Sequence, residues 1–195
     1  MRRVRRDEIV DHVTYEDGRA AFRARVLAEK APRRVHIGEH LTLLFENTLT
    51  VQYQIQEMMR AERIVREADI VHEIETYNEL LGGPGELGCT LLIEIDDREL
   101  RDRKLREWWA LPERIALVLE DGTRMPARFD ERQRGEGRLS SVQYLTFDVG
   151  GRTPVAVRVD LPGLAVEVTL SPETRRALAE DLASDAPAGS TVGPS

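Results

Sequence analysis

Two helical repeats of apolar residues follow one another between residues 39 and 88, and this pairing constrains the fold more than any other feature of the sequence. The apolar positions are Val51, Ile55, Met58 or Met59, and Val65 in the first repeat, and Ile70, Ile74, Tyr77 and Leu81 in the second. Such spacing places the apolar side chains on one face of an α-helix. Gly82 stands where a helix C-cap belongs. The pattern predicts an αα-hairpin over about 49–81, with a first helix that ends near Arg66 and a second that begins near Asp69.

The second half of the chain favours antiparallel strands. Asp121-Gly122 separates two apolar-rich segments and is the strongest hairpin signal in the sequence. Because proline cannot donate a backbone hydrogen bond, Pro126 indicates that the second strand of this hairpin lies at a sheet edge. A shorter hairpin is predicted over 35–45, with its turn at Gly38.

Helices are predicted to flank these strands over 7–30, with a break near Asp17-Gly18, over 98–111, and from Pro172 onward. The sequence therefore predicts an α+β fold in one domain, residues 1–183, with a mostly antiparallel sheet, a packed αα-hairpin and flanking helices. Residues 184–195 are rich in proline, glycine, serine and alanine and are predicted to form a disordered tail.

Charge is divided unevenly along the chain. The net charge is −7, yet residues 1–34 carry ten Arg/Lys against six Asp/Glu. Residues 39–88 carry ten Asp/Glu and three Arg, so the hairpin region alone accounts for a charge of −7. An acidic body argues against nucleic acid as a partner, because that binding depends on cationic contacts to phosphate. The sequence contains neither a membrane-spanning apolar run nor a secretory leader, and a cytoplasmic location is expected.

A carboxylate and histidine metal site is one interpretation of the acidic hairpin. Glu57, Glu62, His72 and Glu75 are of the ligand types that bind iron or manganese, and Asp69 and His72 have the three-residue spacing found in di-iron helical bundles. Those sites draw carboxylates from four facing helices, whereas one such spacing is present here. Solvated, salt-bridged helix faces are the alternative interpretation, in which no cofactor is bound.

Two other segments match known functional motifs in their residue types but not in their predicted structural context. Residues 36–40 read H-x-x-E-H, but Gly38 interrupts the helix that a zinc-binding pair of histidines requires. The glycine-rich loop at 82–88 follows a helix rather than opening one, which is the reverse of a phosphate-binding loop. Neither motif supports a function, and the sequence leaves open whether the chain is an enzyme.

Three amides in the predicted hairpin, Gln54, Gln56 and Asn78, are unusual for plain packing helices. Because an unpaired amide is costly to bury, such residues belong either to the surface or to a hydrogen-bonded network. Periodicity places Gln56 outward, but the sequence does not decide between a buried and an exposed position for any of the three.

The order of several short segments resembles the bacterial DUF3501 family. These segments are Leu41–Asn47, Gln54–Met58, Arg60–Ile64, Thr76–Leu80, Gly83–Leu87, Ala127–Asp130 and Ser141–Tyr144. The resemblance covers nearly the whole chain apart from its tail, and it names a family of unknown function. Members tend to be encoded beside rubrerythrin-like proteins and iron–sulfur oxidoreductases, so the resemblance implies a supporting role in redox or iron metabolism.

Two hypotheses of function follow. In the first, the chain is a non-catalytic accessory or interaction protein that uses the acidic hairpin to dock a rubrerythrin-like or iron–sulfur redox protein. In the second, it is a small metal-dependent oxidoreductase or metal carrier with iron or manganese held by some of Glu57, Glu62, His72 and Glu75. The sequence does not set the oligomeric state, and a homo-oligomer is compatible with it.

Overall fold

Five α-helices frame the structure, a computed structural model that describes residues 1–135 and 137–184. They are α1 (His12–Lys30), α2 (Thr48–Glu62), α3 (Glu67–Asn78), α4 (Arg98–Glu107) and α5 (Pro172–Ala183). Within the described residues, none of these helices is both long enough and apolar enough to cross a membrane. Apart from Ser184, the predicted tail lies outside the described residues.

Antiparallel strands form two main sheets and one short ribbon. In chain order they are β1 (Arg34–Ile37), β2 (Leu41–Phe45), β3 (Glu86–Ile93), β4 (Ile115–Val118), β5 (Arg124–Pro126), β6 (Arg128–Phe129), β7 (Arg134–Gly135), β8 (Arg138–Leu139), β9 (Val142–Asp148), β10 (Ala156–Leu161) and β11 (Leu164–Thr169). The larger sheet has the order β1-β2-β3-β9-β6, the smaller sheet β11-β10-β4-β5, and the ribbon is β7-β8. The architecture is α+β with antiparallel sheets, as predicted.

The core is shared by both sheets and the helices. Strand β2 is buried along its whole length, and alternate residues of β9 point into the core. The residues with no measurable exposure include Phe45, Leu91, Leu117, Phe147 and Val157, which come from five different strands. Strand alternation therefore sets which side chains meet, and one continuous apolar cluster joins the two sheets.

The Asp121-Gly122 hairpin is confirmed. Strands β4 and β5 pair antiparallel on either side of the turn, and Gly122 has a φ of 81°, which glycine adopts without strain. Strand β5 is the last strand of its sheet, so Pro126 lies at an edge as predicted. The predicted turn at Gly38 is also present between β1 and β2, with a φ of 62°.

Helices α2 and α3 form the predicted αα-hairpin with boundaries that differ from the prediction. Helix α2 begins at a reciprocal cap in which the Asn47 side chain accepts from the Thr50 N–H (3.0 Å) and the Thr50 hydroxyl accepts from the Asn47 N–H (2.9 Å). It ends at Glu62 because Arg63 adopts a left-handed conformation (φ 54°). The predicted extension to Arg66 is wrong, and Val65, predicted to be buried, is 75% exposed.

Helix α1 is continuous through Gly18, so the predicted break there is wrong. Asp11 caps its first turn by accepting from the N–H groups of Val13 (2.9 Å) and Thr14 (3.1 Å). The helix packs on α2 through one face only, where Tyr15 and Val26 are buried. This packing outweighs the weak helix propensity of a single glycine.

Candidate functional site

The four predicted metal ligands lie on the helical hairpin, but they do not converge. Glu57 is half-buried on the side of α2 that faces α1, whereas Glu62, His72 and Glu75 are exposed. Among residues 1–135 and 137–184, no group of three or more His, Cys, Asp or Glu side chains is arranged to hold a metal ion. The metal site stays a prediction, which elemental analysis can test.

Glu57 is engaged by helix α1. Its Oε1 accepts from the Tyr15 hydroxyl (2.6 Å) and the Arg19 Nε (2.7 Å), and its Oε2 accepts from the Arg19 Nη2 (2.8 Å). The hydrogen bonds from Arg19, followed by the one from Tyr15, lower the pKa of Glu57. Burial and the hydrogen bond to Glu57 raise the pKa of Tyr15. All three side chains are therefore used to fasten α1 to α2.

The buried amides bind the N-terminal segment, residues 1–10, which we call the strap. The Asn78 Oδ1 accepts from the Val4 N–H (2.8 Å), and its Nδ2 donates to the Val4 carbonyl (3.0 Å). Gln56 makes the same pair of contacts with Val10, at 2.8 Å and 3.2 Å. Gln56 and Asn78 are 2% and 4% exposed, so the expectation that Gln56 faces outward is wrong. Gln54 is half-buried.

The basic front of the chain lies on the acidic hairpin. Arg6 of the strap forms two hydrogen bonds with Glu67 of α3, at 2.7 Å and 2.8 Å, and these lower the pKa of Glu67. Arg19 of α1 pairs with Glu57 of α2 at 2.7 Å. The basic front and the acidic hairpin thus partly neutralise each other within the molecule. The front therefore needs no external anion to balance these charges.

Four exposed carboxylates of the hairpin remain, and we call them the acidic face: Glu62, Asp69, Glu75 and Glu79. None of them forms an ion pair with another residue in the described part of the chain. Glu62 is the last residue of α2, Asp69 and Glu75 occupy exposed positions of α3, and Glu79 directly follows α3. His72 is also exposed on α3, and the face bears a charge of −4 from its carboxylates.

An aromatic cleft of about 490 Å³ adjoins the acidic face at the C-terminal end of α3. Tyr77, Phe129 and Tyr144 line it, and Glu79 contributes to its wall. Tyr144 is 41% exposed. Burial raises the pKa of Tyr77 and of Tyr144, so both phenols are neutral at pH 7. Arg128, which also lines the cleft, is paired with Glu86 and brings no free charge into it.

The cleft was missed by the sequence analysis. Its three rings come from α3, β6 and β9, which are far apart in the chain. The alternation in β9 predicts that Tyr144 lies on the opposite side of the strand from Leu145. That alternation gives no sign that α3 would end above Tyr144, because the position of α3 depends on tertiary packing.

The histidines of the H-x-x-E-H segment have structural roles. His36 lies on β1, and its Nδ1 is 2.9 Å from the Thr42 hydroxyl, which donates to Glu94 at 2.5 Å. His40 lies beyond the Gly38 turn, with its ring 6.2 Å from that of Trp108. The strand and turn separate the two histidines as the sequence predicts.

Comparisons with known proteins identify a family but no activity. A family model described as "Protein of unknown function (DUF3501)" matches residues 3–182. The chain is similar to a crystal structure of a novel protein of unknown function from Burkholderia pseudomallei K96243, with a TM-score of 0.86 and 30% sequence identity. The match covers 93% of this chain and 100% of that one. No curated protein matches the chain.

Proposed function

This chain belongs to the DUF3501 family of unknown function, and we propose that it is a non-catalytic accessory protein that docks a basic redox or iron-metabolism partner. The acidic face of the α2–α3 hairpin, together with the aromatic cleft beside it, is the docking surface. The observation that carries this proposal is Glu79, a carboxylate without an ion-pair partner among the described residues, at the wall of a cleft lined by three aromatic rings.

Electrostatics favours a basic partner. The other acidic side chains of the hairpin region that face the strap and α1 are compensated, as Arg6–Glu67 and Arg19–Glu57 illustrate. The acidic face is exposed, and its carboxylates form no ion pair with the residues that the structure describes. Complementary charge of this kind raises the rate of encounter and suppresses wrong partners more than it raises affinity.

The cleft provides a place for one anchoring side chain of the partner. A Lys or Arg head group that enters this cleft would lie beside aromatic side chains and the Glu79 carboxylate. A cation over an aromatic ring is stabilised by about 0.5–2 kcal/mol, depending on how much water is removed. Energetic hot spots at interfaces are rich in Tyr and Arg and lie in desolvated pockets.

The redox identity of the partner rests on the family resemblance alone. Relatives tend to be encoded beside rubrerythrin-like proteins and iron–sulfur oxidoreductases, and these proteins are the partners to test. The proposal assigns the electron-transfer chemistry to that partner and only docking to this chain.

Calorimetric titration of the chain with each purified neighbouring redox protein, at low and at moderate salt, tests the proposal. We expect binding that weakens as salt increases, because exposed charges are screened. Glu75→Lys/Glu79→Lys should abolish the binding. The matched control is Asp96→Lys/Glu120→Lys, which makes the same charge change at two other exposed carboxylates and should leave the affinity within about twofold.

Glu79→Gln separates the cleft from general charge attraction. We expect it to weaken binding at least tenfold if the cleft takes a cation, since a tenfold change corresponds to about 1.4 kcal/mol. Absence of binding to all of the neighbouring redox proteins, or equal effects of the two Lys pairs, would contradict the proposal.

A further inference from the structure

The face of α1 that points away from α2 is apolar and exposed. Its residues, which we call the outer face, are Val13, Asp17, Ala20, Ala24, Leu27 and Ala28. Val13 is 68% exposed and Leu27 is 49% exposed. Surface helices normally place charged residues opposite the core, yet Asp17 is the only charged residue on this face. An apolar face of this kind is typical of an interaction surface.

The charge pattern along α1 identifies what covers this face. Glu16, Arg19, Glu29 and Lys30 are engaged by neighbouring groups of the same chain. The exposed charges of α1 that have no ion-pair partner among the described residues are Asp17 in the N-terminal half, and Arg23 and Arg25 in the C-terminal half. A second α1 that runs antiparallel places each acidic half beside a basic half, and it also opposes the two helix dipoles favourably. A parallel second helix would place like charges together. The pattern is thus self-complementary, as a two-fold interface requires.

We infer that the chain forms a two-fold homodimer in which the outer faces of two antiparallel α1 helices pack together around Ala20. With that centre, Val13 lies opposite Leu27 of the second copy, and Asp17 lies on the same edge of the interface as Arg25 of the second copy. Alanines at the centre permit close approach of the helices. The inference does not depend on the proposed function, since the acidic face lies on α2 and α3 and the outer face lies on α1.

The dimer is expected to be weak. A 19-residue helix is about 28 Å long. One face of such a helix buries less than the roughly 800 Å² per partner of a standard interface. The dissociation constant should therefore be on the order of micromolar or higher.

Sedimentation of the full chain over a concentration series that reaches the millimolar range tests the association. The average mass should rise from one chain towards two. Ala20→Glu, which brings two like charges together at the centre, should keep the chain monomeric throughout. The control Ala68→Glu introduces the same residue at an exposed position of α3 and should leave the association unchanged. A chain that stays monomeric at the highest concentration overturns the inference, as does association that Ala20→Glu leaves intact.

Disulfide trapping tests the direction of packing. The native Cys89 is buried and gives no background. Under mild oxidation, Ala20→Cys should form a covalent dimer, because Cα atoms must come within about 7 Å for a disulfide to form. Val13→Cys and Leu27→Cys should each stay monomeric alone and cross-link when mixed. Self-cross-linking of Val13→Cys and of Leu27→Cys would indicate parallel helices and overturn the antiparallel arrangement.

Discussion

Three side-chain amides each bind both the N–H and the C=O of one backbone residue, as a neighbouring strand would. Asn78 and Gln56 do so for the strap, and Gln133 does so for β9, where it accepts from the Tyr144 N–H (2.6 Å) and donates to the Tyr144 carbonyl (3.1 Å). A primary amide offers one acceptor and two donors, which matches the N–H and C=O of a single extended residue. Gln56 and Asn78 therefore satisfy a segment that has no strand beside it, and Gln133 satisfies Tyr144 just beyond the point where the pairing of β9 with β6 ends.

Asn78→Ala should lower the free energy of unfolding by about 2–3 kcal/mol, because it leaves the N–H and C=O of the buried Val4 without partners. Urea denaturation measures the change. Thr76→Ala, at an exposed position on the same helix, is the control and should change the free energy by less than about 0.5 kcal/mol. Equal effects of the two substitutions would show that Asn78 does not hold the strap in solution.

Glu57 links stability to pH. Its pKa in the folded chain lies below the ordinary value of 4.5, so the folded state holds fewer protons than the unfolded state between the two values. The contribution of Glu57 is therefore present above the unfolded pKa and is lost as the pH falls through the folded pKa. Glu57→Gln should destabilise the chain at pH 7 and have a smaller effect near pH 3. Urea denaturation at both pH values measures this.

Elemental analysis of the same proteins, purified without chelator, distinguishes this role from metal binding. If Glu57 serves to fasten α1, metal content should be well below one ion per chain and unchanged in Glu57→Gln. A stoichiometric metal that is lost from the variant would contradict this account and support the iron or manganese alternative.

At the scale of secondary-structure elements, α1 and β3 each contain a glycine, and the two differ in whether a larger residue would fit. Gly18 lies in the middle of α1, where an added Cβ meets nothing within 4 Å. Gly88 lies in β3, where a Cβ would come within 1.9 Å of the Leu80 carbonyl oxygen and 3.0 Å of the Gly82 nitrogen. The chain that leaves α3 therefore packs directly on the backbone of β3, and only glycine permits this approach.

Gly18→Ala should raise the free energy of unfolding by about 0.5–1 kcal/mol, since alanine is the better helix former. Gly88→Ala should lower it by more than about 3 kcal/mol, because the contact is with backbone that cannot rotate away. Urea denaturation compares both variants with the parent chain, and circular dichroism checks that each one folds. A loss below about 1 kcal/mol for Gly88→Ala would mean that the loop can move aside.

Local signals were sufficient for the elements whose causes are local. The Asp121-Gly122 turn needs a positive φ at one residue, and the hairpin of α2 and α3 follows from apolar spacing, so both could be predicted. The end of α2 could not, because it depends on Arg63 in a left-handed conformation that has no sequence signature.

For the candidate site, composition predicted the acidic character of the hairpin but not the direction of its side chains. Gln56 binds Val10, which lies 46 residues away, and Glu57 binds Arg19, which lies 38 residues away. Helical periodicity gives the angle of a side chain around its own axis and contains no information on which distant segment lies there.

At the scale of the whole molecule, a buried ion pair joins the segment after α1 to α5, the last helix of the described chain. Arg33 follows α1, and Asp181 lies in α5, 148 residues later. The Asp181 carboxylate accepts from the Arg33 Nε (2.8 Å) and Nη2 (2.9 Å), with side-chain exposures of 5% for Arg33 and 8% for Asp181. Arg33 also pairs with Glu29 (2.8 Å), and the Asn47 amide reaches both Glu29 (2.6 Å) and Asp181 (3.4 Å). This network fixes α5 against the start of the larger sheet.

Removal of one partner from this pair should lower the free energy of unfolding more than replacement of both partners. Asp181→Ala leaves the Arg33 guanidinium buried with Glu29 as its remaining carboxylate, and we expect a loss of about 3 kcal/mol in the free energy of unfolding. Arg33→Met/Asp181→Leu replaces the pair with apolar side chains of similar size and should recover most of that loss, since a buried pair stabilises little over a well-packed apolar one. Urea denaturation measures both, with Glu180→Ala as an exposed control on the same helix. A double variant no more stable than Asp181→Ala would mean that the charge pair itself, rather than the avoidance of an unpaired buried charge, holds α5 in place.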